Sequence, residues 1–168
     1  MLSLIEIDPI MTYHLAQANI ATFRAKLDDP IMKEFVDFLE PVNKFAEESS
    51  GFVWRLKDDE GRSASYIESP FKEELLAINV SIWEDVESLK NFVYGSVHHY
   101  FLRNKKKWFD LKGPSQFVLW WIPAGEVPNL DTVKEKLLHV EENGPSAAAF
   151  TLQEFYDAKG NKIRVNSR

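Results

Sequence analysis

His98 and His99 are adjacent, and Arg103 follows a few residues on. An imidazole titrates near neutral pH, so His98 aimed into an apolar pocket would serve as a general base or as an axial ligand to heme iron. The same ring in the first turn of a surface helix only bonds backbone or water, and the residues leave both readings open. Arg103 poses a similar choice. Facing inward, its planar fork binds a carboxylate or propionate; facing outward, it is one more surface cation beside Lys105, Lys106 and Lys107. Gln17 and Asn19 share one face of a strand, with Asn79 in a comparable position on another run. Buried amides need partners, so these either orient a ligand or satisfy one another and the backbone. Trp54, Trp83, Phe101 and Trp108 are candidates to wall a pocket for a flat apolar molecule, although most such rings serve as core. Arg55 points away from its neighbour Trp54 and reads as an interface or pocket residue.

Other chemistries drop out. The chain has no Cys, which excludes a disulfide, a thiolate metal site and a thiol nucleophile, and fits a reducing, cytoplasmic setting. It holds no G-x-S-x-G, P-loop or G-x-G-x-x-G motif, and its 4 His show no metal-ligand spacing. The net charge of -6 opposes a polyanion, and the short basic run reads as a solvated helix face, so no nucleic-acid partner is expected. No run approaches the roughly 20 apolar residues that cross a bilayer, and the start of the chain, with Glu6, Asp8 and no basic segment, does not read as a signal peptide.

The elements that must position these residues follow from periodicity. With 168 residues, 45% of them apolar, the chain suits one core. Tyr13 to Ile20 alternates as strand one. Asp29 and Pro30 open a helix over Ile31 to Glu48, with Ile31, Phe35, Phe38, Val42 and Phe45 at helical spacing and a bend or interruption expected at Pro41. Phe52 to Leu56 is strand two, with Ala64 to Ile67 as a short continuation of the sheet. Leu75 to Trp83 is an interior strand: Leu76, Ile78, Val80 and Ile82 line one face, Ala77, Asn79, Ser81 and Trp83 the other. A second helix starts at Glu84 and Asp85, restarts with Ser96 as N-cap, and runs on to Phe109. Gln116 to Ile122 is the last core strand, too apolar to be an exposed edge. A further helix is expected from about Asn129 to Asn143, then an extended tail that frays from Asp157 onward.

This order predicts an α+β fold, a ferredoxin-like βαββαβ sandwich with an extra C-terminal helix and tail. Two helices cover one face of such a sheet. The apolar face of Leu76, Ile78, Val80 and Ile82 needs another cover, and a second copy of the chain in a homodimer is the economical one.

The strings YHLAQANI, GFVWRL, NVSIWEDVESLKNFVY and LWWIPAGEVP, with the spacing of His98, Arg103, Trp108 and Phe109, resemble a bacterial family known only as a domain of unknown function. That family is placed among the dimeric α+β barrels, with antibiotic biosynthesis monooxygenases, heme-degrading monooxygenases and spheroidene monooxygenase. Members commonly begin just before the YHLAQ string. Residues 1–11 therefore read as an N-terminal extension, 12–156 as the barrel domain and 157–168 as a polar tail. The resemblance implies a pocket between sheet and helices and puts Asn19 where heme-degrading relatives hold a strand-one Asn. It does not carry over their heme-ligating His, since aligning on Trp83 puts Leu102 there, with His98 one turn earlier.

Two functions are thus expected. The first is a monooxygenase-like small-molecule enzyme acting on an apolar or aromatic substrate, with His98, Arg103 and Asn19 catalytic and Gln17, Trp54, Trp83, Phe101 and Trp108 lining the site. Heme is one cofactor for it; a substrate that itself reduces oxygen, with no cofactor, is the other route. The second is a non-catalytic dimeric module that binds a small hydrophobic ligand or heme. It needs the same pocket but not His98.

Overall fold

A computed structural model describes residues 11–71, 73–113 and 116–165, without the side chains of Ser96, Val97 and His98. The expected extension at residues 1–10 lies outside the described residues. Four strands, β1 (Tyr13–Thr22), β2 (Phe52–Arg55), β3 (Leu76–Trp83) and β4 (Gln116–Pro123), form one antiparallel sheet in the order β2-β3-β1-β4. Alternation sorts the side chains into two faces. On the helix side, cross-strand rows read Phe52–Trp83–Leu15–Trp121, Arg55–Ser81–Gln17–Leu119 and Asn79–Asn19–Phe117. On the back, they read Trp54–Ile82–Ala16–Trp120, Val80–Ala18–Val118 and Ile78–Ile20–Gln116.

Helix α1 (Lys33–Glu48) follows a short 3-10 turn whose first donor, Ile31 N–H, is taken by Asp29 Oδ1 at 2.9 Å. The expected bend at Pro41 does not end the helix, which is assigned through it. Pro41 and Asp37 are both exposed, so the carbonyl that proline leaves unbonded faces water. Between α1 and β2, Gly51 has φ +76, and a Cβ there would lie 2.0 Å from Ser88 Oγ, so only glycine lets Ser88 approach this turn.

Helix α2 (Val86–Val93) is capped by Asp85, which accepts from Ser88 N–H at 2.8 Å. The helix restarts as α3 (Ser96–Asn104), but Gly95 rather than Ser96 holds the N-cap position. A Cβ at Gly95 would lie 3.3 Å from the ring of Phe45, which favours glycine at this tight step. Beyond Asn104 the chain tightens into a 3-10 turn instead of continuing as helix to Phe109. Ala64–Tyr66 is likewise a 3-10 turn, not a continuation of the sheet. Ser63 Oγ accepts from Ser65 N–H and sets that turn.

The back of the sheet corrects the premise of the expected dimer. Helix α4 (Leu130–Asn143) lies across it, with Val133 and Leu137 packed in one cluster with Ala16, Ala18, Val80, Ile82 and Trp120. Gln116 Nε2 donates to Leu137 O at 2.8 Å and fastens the helix to β4. Leu76, Ile78, Val80 and Ile82 are all buried inside one chain, so no second copy is needed to shield them.

The tail also differs from expectation. Leu119 and Phe150 exchange backbone hydrogen bonds of 2.8 Å in both directions, closing the outer edge of β4. This explains how so apolar a strand stands at the sheet margin. Past Asp157 the chain does not fray at once: β5 (Phe155–Tyr156) pairs with β6 (Lys162–Ile163), and Asp157 Oδ1 accepts from Asn161 N–H within the turn. Trp121 Nε1 donates to Tyr156 O at 2.8 Å and ties this hairpin to the sheet.

Candidate functional site

The helix side of the sheet carries the polar groups, and its middle is where they collect. Gln17 is buried and its Nε2 donates to Asn79 Oδ1 at 2.7 Å and to Ser81 Oγ at 2.8 Å. Ser81 Oγ also accepts from Trp83 Nε1 at 2.8 Å. Trp83 is fully buried, stacked on Phe92 with centroids 5.1 Å apart and met edge-on by Phe52 at 5.4 Å. Asn79 stands opposite Asn19 on the neighbouring strand and is exposed, although both strands lie inside the sheet. An interior strand position left uncovered on the helix-covered face marks an opening onto the amides of Asn79 and Asn19. Phe117, Ala21 and Ala77 on the surrounding positions are half-buried and give that opening an apolar floor.

Along the polar row from Gln17 and Ser81, strand β2 contributes Arg55, only 7% exposed. Its Nε donates to Glu47 Oε1 of α1 at 2.9 Å, and Lys57 Nζ reaches the same oxygen at 3.0 Å. These contacts hold the Glu47 carboxyl below the usual carboxylate range, chiefly through the bond from Lys57, with the Arg55 charge adding to it against partial burial. Asn43, one turn before Glu47, is also buried. Two buried donors here have no partner among the described residues, Asn43 Nδ2 and Arg55 Nη1.

Not every residue expected from sequence joins this site. Gln17, Asn19 and Trp83 do. Trp54 packs on the back of the sheet with Ile82 and Leu56, so it does not wall the site, although it borders an open groove of about 580 Å³ along β2 with Arg55, Glu47 and Lys57. Trp108 is fully buried and Phe101 half-buried in a separate aromatic cluster with Phe23, Phe35 and Met32 at the end of the sheet. Phe101 and Trp108 stand 5.2 Å apart there as core. Arg103 is exposed on α3. His98 belongs to α3, and its side chain lies outside the described residues. The basic run acts as a surface clamp: Lys107 Nζ pairs with Glu34 of α1 at 3.2 Å, and the Tyr100 hydroxyl bonds the same carboxylate.

Sequence reasoning missed Asn43, Glu47 and Lys57, and left Arg55 without a partner. The signal for Asn43 was the turn of α1. The buried stripe is Phe35, Asn43 and Ala46, rotated from the expected stripe of Phe35, Phe38, Val42 and Phe45. Phe38 and Phe45 instead meet Tyr100 and Phe92 across the helix flanks.

The described histidines bring no heme ligand to this site, and the side chain of His98 lies outside the described residues. Leu102 and His99 are exposed on α3, and His139 Nε2 is bonded to Ser146 Oγ behind the sheet. His14, which alternates with Leu15, falls on the back face. Among the described residues no cluster of three or more His, Cys, Asp or Glu is placed to hold a metal ion. No helix among them is long and apolar enough to cross a membrane.

Sheet order and helix placement define the class, a ferredoxin-like α+β sandwich, here with a further helix, α4, across the back. Within that class the chain belongs to the family described as Domain of unknown function (DUF3291), whose pattern matches residues 14–166. No curated protein matches the sequence. Among solved structures, it is similar to a protein of unknown function from Nitrosomonas europaea, with 13% identity, TM-score 0.48, and 71% of this chain and 98% of that one covered. A conserved protein from Methanosarcina mazei shares 8% identity at TM-score 0.48 over 66% of this chain and 92% of that one. SnoaB from Streptomyces nogalater, described as a cofactor-independent oxygenase, shares 13% identity at TM-score 0.43 over 69% of this chain and 98% of its own.

Proposed function

We propose that this chain is a small-molecule enzyme of the oxygenase type, taking an apolar or aromatic substrate onto the helix side of its sheet. The observation that supports it is the exposure of Asn79 in the middle of an interior strand, beside Asn19 and the Gln17–Ser81–Trp83 network, on a face otherwise built of rings and aliphatic side chains. Amides fixed by neighbours meet a substrate oxygen without reorganising, so their donors stabilise charge that develops there. Gln17 uses both hydrogens of its Nε2 to hold Asn79 Oδ1 and Ser81 Oγ, which turns the Asn79 NH2 toward the opening. In this reading Asn79 and Asn19 orient the substrate oxygen, Phe117 bears on its apolar body, and His98 of α3 takes the proton that must leave. Arg103, exposed, would act only at the rim.

The chain offers no thiol, and in this reading the substrate itself reduces oxygen. In the balanced change, a substrate methylene and one molecule of dioxygen become a carbonyl and one molecule of water. Both C–H bonds and the O–O bond break; one oxygen atom stays on carbon, and the other leaves as water with both hydrogens. Self-association, through a surface other than the back of the sheet, and a cytoplasmic location remain parts of the proposal; the lack of Cys supports the latter.

A second reading, a binding module without catalysis, is favoured by one fact. The described groups around the opening are amides, a hydroxyl and a guanidinium, and the nearest carboxylate, Glu47, is engaged by Lys57 and Arg55. Oxygen uptake with a polycyclic aromatic ketone bearing an acidic methylene separates the two. The enzyme reading expects one dioxygen consumed per ketone oxidised with no added metal, flavin or reductant, and a rate about a hundredfold lower in Asn79→Leu. Tight binding with no uptake, unchanged in His98→Ala, would leave the module reading.

A further inference from the structure

Asn43 Nδ2 and Arg55 Nη1 are buried donors with no acceptor among the described residues, and the two residues are 9% and 7% exposed. A buried unpaired donor is costly to the folded state, and a guanidinium donor more so than an amide. Glu47 connects them. The Arg55 guanidinium is bonded to Glu47, and Asn43 precedes Glu47 by one turn on the same flank of α1, a rise of about 6 Å. Arg55 itself stands in the cross-strand row with Ser81 and Gln17. Charge is also unbalanced: Arg55 and Lys57 share one carboxylate, Glu47, which leaves one positive charge in excess.

We infer that Arg55 and Asn43 receive an anionic oxygen, so that the ligand of this protein is an apolar or aromatic acid whose carboxylate lies over the Arg55–Ser81–Gln17 row. Its body extends across the Asn79–Asn19–Phe117 row, which is two residues, about 7 Å, further along the strands. That distance is the width of a fused ring, and the exposed Asn79 marks the way in. Arg55 Nη1 and Asn43 Nδ2 each supply one charge-assisted hydrogen bond. Glu47 keeps the Arg55 Nε and fixes the plane of the guanidinium. The inference rests on the small-molecule reading above and names the chemical class of its ligand.

The test compares naphthoate with naphthalenemethanol, read by tryptophan fluorescence and by thermal shift on the full chain. The wild-type protein should bind the acid at least about tenfold tighter than the alcohol. Asn43→Leu, which leaves the Arg55–Glu47 pair intact, should abolish that preference while raising the melting temperature of the free protein, because it removes an unpaired buried donor. Asn43→Ala serves as the second variant and should also lose the preference. Arg55→Lys, which keeps the charge but not the fork, should weaken acid binding and leave alcohol binding as it was. If the alcohol binds and the acid gains nothing, or if both Asn43 variants keep the preference, the inference is overturned and the small-molecule site still stands. If neither compound binds, both readings fall.

Discussion

Ser81 Oγ accepts from a buried tryptophan and a buried glutamine at once, and this one atom holds the polar row together. Removing it leaves the Trp83 indole N–H and one Gln17 hydrogen unpaired in a dry place. Ser81→Ala should therefore cost about 1–3 kcal/mol in urea unfolding, far more than a hydroxyl on the surface; an unchanged midpoint would mean that neither donor depends on it. Glu47 offers a test by pH. Lys57 and Arg55 hold its carboxyl below the range it has in the unfolded chain. The stability it contributes is present above the unfolded value and is lost as pH falls through the lowered folded value. Melting temperatures of the wild type and Glu47→Gln should converge in that acid window and separate toward neutrality; a constant gap would deny the coupling. At this scale the sequence was legible where period two applies. Alternation puts Gln17 with Asn19 on one face of the first strand and Asn79 with Ser81 on one face of the third. It did not show Asn43, because α1 is rotated by about one position relative to its largest side chains: the bulky Phe38 and Phe45 pack on the flanks against Tyr100 and Phe92, and a small polar residue takes the deepest place.

Among the elements, α4 decides the most. Its length and bounds could be read from Asn129, the apolar spacing and Gly144, and Asn129 does cap it, accepting from Thr132 N–H at 2.8 Å. Where it docks could not be read, because periodicity says that a helix has an apolar stripe and not which surface receives it. Leu137 is 1% exposed in the cluster with Val80, Ile82 and Trp120. Leu137→Ala should cost about 2–5 kcal/mol by leaving a cavity at the helix–sheet contact, measured by chemical denaturation. A cost under about 0.5 kcal/mol would place α4 loosely on the sheet. The misread turns have a common cause. Ala64–Tyr66 has strand-forming composition, yet the Ser63 side chain offers its backbone a local bond and the segment curls.

Over the whole molecule, one chain covers both faces of its own sheet, with α1 and α2 in front and α4 behind. The sequence led correctly to the four-stranded sheet, but its inference of a twin subunit over Ile78, Val80 and Ile82 failed because a helix from the same chain does that work. Val133→Asp combined with Leu137→Asp should expose this face and drive self-association, seen as a rise in mass by light scattering relative to the parent; an unchanged mass with an unchanged fold would show that the face is not held by α4. The helix side, with its row of amides and its unpaired buried donors, is the face proposed to receive a ligand. The most direct measurement is a nuclear magnetic resonance titration of the full chain with naphthoate, following backbone and side-chain N–H signals. Shifts should be confined to Asn43, Gln17, Asn79 and Arg55 Nε, with Val133, Leu137 and the Gln116 amide on the back of the sheet unmoved. Shifts on the back face, or at the second groove near Phe23, Lys26 and Glu74, with the four helix-side groups silent, would contradict the account.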